Sequence, residues 1–332
     1  FFFKQKTAYE IVDCDWSSDV CSSDLSKVRN VVESLRVGEF AQELLRLAQP
    51  IEPFEMPLLD AHGATLATDV FAGERLVLRA GSRIRSTQIG LAASIGLDRL
   101  PTRPQPRVVV ISAGSDLVEP GSQLQDSEDE FETNSWLLTT AVKEAGAVAY
   151  RVHMIPENEM SLKAIVEDQL VRADLVVISG ESHDDSFPLI TNVLKGIGDI
   201  REIDPCIESS GLHNFGTIGP DKTLVVTLPG EPIAAYISCE LFIRPMIRQM
   251  MGLHDLFRPV HKATLTNSIQ SESGKTTLFR AFLDGDRVTV AENQSELVGL
   301  SDANCLVVIG EELTSVNSGT EVNVMMLERR YI

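Results

Sequence analysis

Residues 174–190 read DLVVISGESHDDSFPLI. Five consecutive apolar or small residues between Asp174 and Gly180 read as a strand buried on both faces, and PLITNVLKGIG (188–198) reads as the helix that follows it. The same alternation recurs on either side. RVVVISAG (107–114), AVAYRVHMI (147–155) and TLVVTLPG (223–230) are strands; TNSWLLTTAVKEAG (133–146), SLKAIVEDQLVRA (161–173) and EPIAAYISCELFIRPMIRQMMG (231–252) are helices. Thr133 or Asn134 opens the first of these helices and Gly146 stops it. Buried strands alternating with helices require right-handed crossovers and a mostly parallel sheet, so residues 78–254 are expected to form a doubly wound α/β domain.

Outward from this centre the pattern changes. Apolar residues from Val28 to Leu47 recur at helical spacing until Pro50 and Pro53 end them, and RSTQIGLAASIG (85–96) is a second helix with Ser86 or Thr87 as its cap. Residues 54–72 read as a turn, a short helical piece and a strand leading to Gly73. Residues 26–77 thus form an N-terminal helix and linker. Beyond Pro259 short alternating runs (KATLTNSI, TTLFRAFLDGDRVTVAE, ANCLVVIG, TEVNVMML) with an Asp284-Gly285-Asp286 turn give a small C-terminal β domain, 255–332. Residues 1–25 carry no periodic apolar face and resemble translated sequencing-adapter read-through, so they are expected to add nothing to the fold.

Forty-eight acidic residues against 29 basic ones give a net charge of −19, which disfavours nucleic acid and anionic membrane surfaces as partners. No apolar run approaches the roughly 20 residues of a membrane span. Five cysteines without a CxxC pair point to a reducing compartment, and a cytoplasmic location is expected.

The segments RVVVISAGSDLVEPG, TNSWLL, DLVVISG, VVTLPGEPIAA, LFIRPMIRQMMG and LSDANCLVVI occur in one order at sensible spacings. From Leu78 to Leu327 the chain resembles the molybdopterin molybdenumtransferase family, to which the C-terminal region of gephyrin also belongs. The resemblance implies a molybdopterin-binding-like α/β domain followed by a β-barrel-like domain. It further implies a homodimer that inserts molybdenum into molybdopterin, using magnesium, molybdate and an adenylylated pterin intermediate. By position it assigns ligand contacts to Gly114, Asp116, Asn134, Ser135, Ser179, Gly180, Pro229, Gly230 and Pro232, and metal contacts to Asp116 and Glu157. Asn134 and Ser135 are equally candidates for helix caps, and no catalytic residue is assigned.

Several positions depart from the family pattern. Glu181 and Asp185 stand where the loop after the third strand has glycines, and Glu208 and Gly211 where a later segment has two lysines. Glu181, His183, Asp184 and Asp185 read either as a metal-binding set or as a solvated acidic loop with Ser186 capping the next helix. His213 and Asn214 read as a polar turn, and Glu231 replaces an Asn and places a carboxylate at a helix N-terminus. Nine residues separate Val70 from Ala80, where the family carries an inserted lobe that completes the partner's site. The expectation is impaired transferase chemistry; the alternative is a non-catalytic dimeric scaffold that binds a protein partner. Dimerisation is expected through the apolar helices flanking the sheet domain and the N-terminal helix, since Leu241, Phe242, Ile243, Met246, Ile247, Met250 and Met251 form a wide apolar surface.

Overall fold

A computed structural model of the chain describes residues 32–114, 117–126, 129–154, 159–180, 186–294 and 296–327. The chain divides into two compact units. One comprises the residues up to Phe40 with Glu202–His213 and Phe257–Ile332; the other comprises Ala41–Arg201 and Asn214–Leu256.

Strand β1 (Glu33–Ser34) precedes helix α1 (Val37–Leu47). The helix therefore starts well after residue 28. Backbone pairing claims the residues before it: β1 runs parallel to Ile203–Asp204, and the Leu35 N–H donates to the Asp204 carbonyl at 2.9 Å. The Glu39 carboxylate then accepts the Arg36 N–H at 3.0 Å, closing the first turn.

Residues 54–103 hold β2 (Phe54–Pro57), β3 (Thr65–Leu66), β4 (Val70–Ala72), β5 (Arg75–Leu78), helix α2 (Ser86–Ser94) and β6 (Arg99–Arg103) around a small core that includes Leu66, Ile84, Ala92 and Leu100. The short helical piece expected here is replaced by strands. Ser86 and Thr87 lie inside α2 and do not cap it; Gln88 Oε1 accepts the Arg85 N–H at 3.2 Å instead.

Next comes β7 (Arg107–Ala113), and a two-residue parallel pair, β8 (Leu117–Val118) and β9 (Glu130–Phe131), leads into α3 (Asn134–Ala145). There follow β10 (Val148–Met154), α4 (Glu159–Leu170), β11 (Leu175–Ser179), α5 (Ser186–Ile197), β12 (Gly198–Asp204), β13 (His213–Ile218) and β14 (Thr223–Leu228). Seven strands form one mixed, mostly parallel sheet in the order β1-β12-β13-β14-β11-β7-β10. The β14-β11-β7-β10 part is parallel throughout, while β13 is antiparallel to β14. Val108 to Ile111 and Leu175 to Ile178 are fully buried, which is why both strands read as unbroken apolar runs. Strands β12 and β13 have no such run and carry no strand signal in the sequence.

The long apolar helix after β14 is interrupted. It consists of α6 (Pro232–Ser238), a π-helical turn at Cys239–Ile243 and α7 (Arg244–Met250). Pro245 has no N–H to send back to the preceding turn, and the wider π turn accommodates that loss. Phe242, Ile243, Met246, Ile247, Met250 and Met251 are each at most 4% exposed. Six of the seven residues named for the dimer face are therefore covered within the chain as core, while Leu241 is half-buried.

The C-terminal strands β15 (Val260–Leu265), β17 (Thr277–Asp284), β18 (Arg287–Val290), β19 (Cys305–Ile309) and β21 (Glu321–Met326) close a five-stranded barrel, with β16 (Ile269–Gln270) and β20 (Ser315–Val316) paired beside it. Asp284 pairs with Arg287, so Gly285 and Asp286 form a two-residue hairpin turn, with Gly285 at φ 59°. Among the described residues no helix is long and apolar enough to cross a membrane.

Candidate functional site

The carboxyl ends of β7, β11 and β14 lie side by side, with Ser179 in register with Ser112 on one flank and Leu228 on the other. Open α/β sheets bind ligands at this edge. Gly114 and Gly180, both buried, are the first residues beyond β7 and β11.

Helix α3 starts here, and its cap is not the expected one. The Thr133 hydroxyl donates to the Phe131 carbonyl, and Thr133 makes no side-chain cap bond. Glu132 serves the first turn instead. Its carboxylate is 0% exposed and accepts the Ser135 N–H at 2.6 Å and the Ser135 hydroxyl. Asn134 is thereby released from capping. Its Nδ2 donates to Ser179 Oγ at 2.8 Å and to the Gly230 carbonyl, and Ser179 Oγ donates onward to the Pro229 carbonyl at 2.9 Å. These bonds gather the buried Asn134 and Ser179 and the half-buried Pro229 and Gly230 into one polar knot.

The knot is incomplete. Asn134 is 7% exposed, yet among the described residues its Oδ1 has no hydrogen-bond partner; the Ser112 hydroxyl, also buried, has none there either. An unpaired buried acceptor costs about 1–3 kcal/mol, which an incoming N–H or O–H group recovers. Such an edge suits a ligand rich in donors.

Pro232 is the first residue of α6, and Glu231 precedes it as the N-cap, accepting the N–H groups of Ile233 at 3.1 Å and Ala234 at 2.7 Å. The carboxylate occupies the place an anion would take at this helix start. Asp116, Glu157, Glu181, His183, Asp184 and Asp185 lie outside the described residues, and nothing is described of the Ser186 side chain. Among the described residues no group of three or more His, Cys, Asp or Glu is placed to hold a metal ion, and no step is assigned to magnesium.

In the barrel-containing unit, Glu208 Oε2 accepts the Thr277 hydroxyl at 2.6 Å. Gly211 has φ 65°, a left-handed backbone that a lysine adopts only with strain. His213 and Asn214 do not form a polar turn. They open β13 and are fully buried, because the strand carries them into the interior. Burial lowers the His213 pKa to about 4, against a weaker opposing effect of a backbone hydrogen bond with Gly211. Asn214 Nδ2 donates to Thr191 Oγ1 at 2.8 Å, and its backbone N–H to Thr227 Oγ1 at 2.6 Å.

A family profile described as "Probable molybdopterin binding domain" matches residues 109–249, and one described as "MoeA C-terminal region (domain IV)" matches residues 262–327. Molybdopterin molybdenumtransferase 2 of Mycobacterium tuberculosis is 36% identical over 267 residues, covering 77% of this chain and 65% of the relative. The chain belongs to the molybdopterin molybdenumtransferase family.

Another relative in that family, molybdopterin molybdenumtransferase 1 of the same organism, is 29% identical over 270 residues, covering 78% of this chain and 63% of the relative. The chain thus spans less than two thirds of the length of these curated molybdopterin molybdenumtransferases. The crystal structure of the molybdopterin biosynthesis moea protein from Pyrococcus horikosii superposes with a TM-score of 0.75 at 18% identity, over 90% of this chain and 100% of that one, and shares its fold. The molybdopterin-binding profile encloses the whole Asn134–Ser179–Gly230 knot. Where the family resemblance expects an inserted lobe, β4 and β5 form a closed hairpin: Val70 pairs with Leu78 and Ala72 with Arg75, and Gly73 turns the chain at φ 61°.

Glu132 escaped the sequence reading. Its signal, an acid three residues before Ser135 in ETNS, is masked by Thr133 and Asn134, which are the commoner caps.

Proposed function

We infer that this chain binds molybdopterin, or its adenylylated form, at the carboxyl edge of β7, β11 and β14, and acts in molybdenum-cofactor biosynthesis. The observation that carries this reading is the Asn134 carboxamide, held by Ser179 and the Gly230 carbonyl with its Oδ1 left unpaired in a buried position. A pterin ring carries the N–H donors that such an acceptor lacks. Ser135, Gly114, Gly180, Pro229, Gly230 and Pro232 line the same edge in this reading, and Asp116 and Glu157 are the residues that would hold magnesium.

Transfer of molybdenum by this chain alone is inferred to be impaired. Glu231 fills the anion position at the start of α6, Gly211 replaces a lysine, and a hairpin stands in place of the lobe. In the family picture the working form is a homodimer that receives molybdate as second substrate. The test is reconstitution of the full chain with adenylylated molybdopterin and molybdate, with pterin binding measured separately. Expected are saturable pterin binding, weakened by Asn134→Ala, and no molybdenum transfer above the protein-free rate. Turnover by the chain alone would remove the impairment, and absence of pterin binding would remove the site.

A further inference from the structure

Beside the knot stands a cation that the function above does not use. The Arg151 guanidinium, on β10, makes a fork to Glu119: Nη1 to Oε2 at 3.2 Å and Nη2 to Oε1. Nη1 also reaches Ser135 Oγ at 3.1 Å and Glu132 Oε2 at 3.4 Å, and the guanidinium carbon lies 4.1 Å from the Trp136 ring centroid. The two carboxylates differ sharply in access. Glu132 is 0% exposed, whereas the Glu119 side chain is 36% exposed and that of Arg151 25%. One side of the guanidinium is fixed by buried groups and an aromatic face; the other is held by an exchangeable carboxylate.

An open recess of about 360 Å³ adjoins this arrangement, lined by Pro120, Glu132, Thr133, Trp136 and Leu137. It is bounded by the neighbour of Glu119 and by two of Arg151's own partners. Its lining is mostly apolar, and Trp136 is 49% exposed. An exposed indole against a pinned guanidinium offers a flat surface next to a two-pronged donor, the geometry that receives a phosphate through paired N–H groups.

We propose that Arg151 is an oxyanion-receiving group in which a ligand phosphate displaces Glu119 from the guanidinium fork, with the flat part of the ligand lying in the recess against Trp136. Glu119 acts as a resident stand-in anion. In a chain of net charge −19 this is a local cation prepared for exchange, since Glu132, Ser135 and Trp136 remain as partners when Glu119 is displaced. The proposal is independent of the function inferred above, because its probes carry no pterin.

The chain has two tryptophans, so in full-length protein carrying Trp16→Phe the fluorescence reports on Trp136 alone. Inorganic phosphate, phenyl phosphate and phenol are titrated at constant ionic strength. Phosphate should give a saturable change, phenyl phosphate should bind about tenfold more tightly through burial of its ring, and phenol alone should give none. Arg151→Gln should abolish the saturable response. Glu119→Gln, which removes the competing carboxylate, should tighten phosphate binding by about threefold or more. A structural tie between Arg151 and Glu119 predicts the opposite, so unchanged or weaker binding in Glu119→Gln overturns the proposal. So does the lack of a saturable response in the parent protein, or an equal response in Arg151→Gln.

Discussion

Asn134 and Ser179, 45 residues apart in the chain, are joined by a 2.8 Å hydrogen bond that ties the first turn of α3 to the end of β11. Ser179 passes the connection on to the Pro229 carbonyl at 2.9 Å, so hydrogen bonds link the helix start to two strand ends. Asn134→Ala should lower stability by about 1–3 kcal/mol, and Ser179→Ala by about 1 kcal/mol. The double variant should fall short of their sum by about 0.5–1 kcal/mol, because the two changes remove one shared bond. A double-mutant cycle by chemical denaturation reads this directly; strict additivity would mean that the bond contributes nothing.

Glu132 holds two roles at once, capping α3 and balancing Arg151. Glu132→Ala should cost about 2–4 kcal/mol, more than an ordinary cap, because Ser135 and Arg151 both lose a buried partner. Glu132→Gln keeps the acceptor for the Ser135 N–H and should recover part of that loss. Urea midpoints of the two variants make the comparison, and equal losses would assign the whole effect to charge.

Legibility in the sequence followed burial. Strands β7, β11 and β14 were readable because both faces of each are covered, leaving runs such as VVVI and LVVI with no competing interpretation. Strand β13 was not, since it carries two polar residues, His213 and Asn214, into the interior, and in one dimension they look like turn residues. The start of α1 was placed too early because apolar residues at 28, 31, 32 and 35 continue a helical spacing, and the backbone pairing of β1 with β12 overrides that spacing. At the candidate site, the positions of Ser179, Gly114 and Gly180 at the strand ends followed from the sequence pattern, whereas the buried Ser112 did not stand out. That Glu132 rather than Thr133 caps α3, and so leaves Asn134 facing Ser179, depends on side-chain directions that spacing does not encode.

His213 makes a pH prediction. Its folded pKa, about 4, lies below the ordinary value of 6.5, so on acidification the unfolded chain takes up the proton first. Stability should be unaffected by this group above about pH 6.5, fall as the pH drops towards 4, and lose on the order of 3 kcal/mol in all below that. His213→Gln should flatten that part of the profile. The check is the difference in urea midpoint between parent and variant at several pH values; parallel profiles would clear His213 of any role in acid sensitivity.

Glu231 caps α6 through two N–H groups. Glu231→Ala should cost about 1 kcal/mol, while Glu231→Asn, which retains a cap acceptor, should stay within about 0.5 kcal/mol of the parent. Melting temperatures of the two variants separate hydrogen bonding from charge. A comparable loss in both would show that the carboxylate acts mainly through its charge on the helix end.

The hairpin at Val70–Leu78 brings Ala72 and Arg75 into direct pairing, with Gly73 and Glu74 as the whole of the connection. The host closes without a guest, and its two strands end side by side. Such a point works as a socket: a module whose own termini lie close together can be plugged in or withdrawn while the hydrogen-bonded strands beneath stay as they are. A fluorescent reporter domain spliced between Gly73 and Glu74 should leave the host folded, with its melting temperature close to that of the parent.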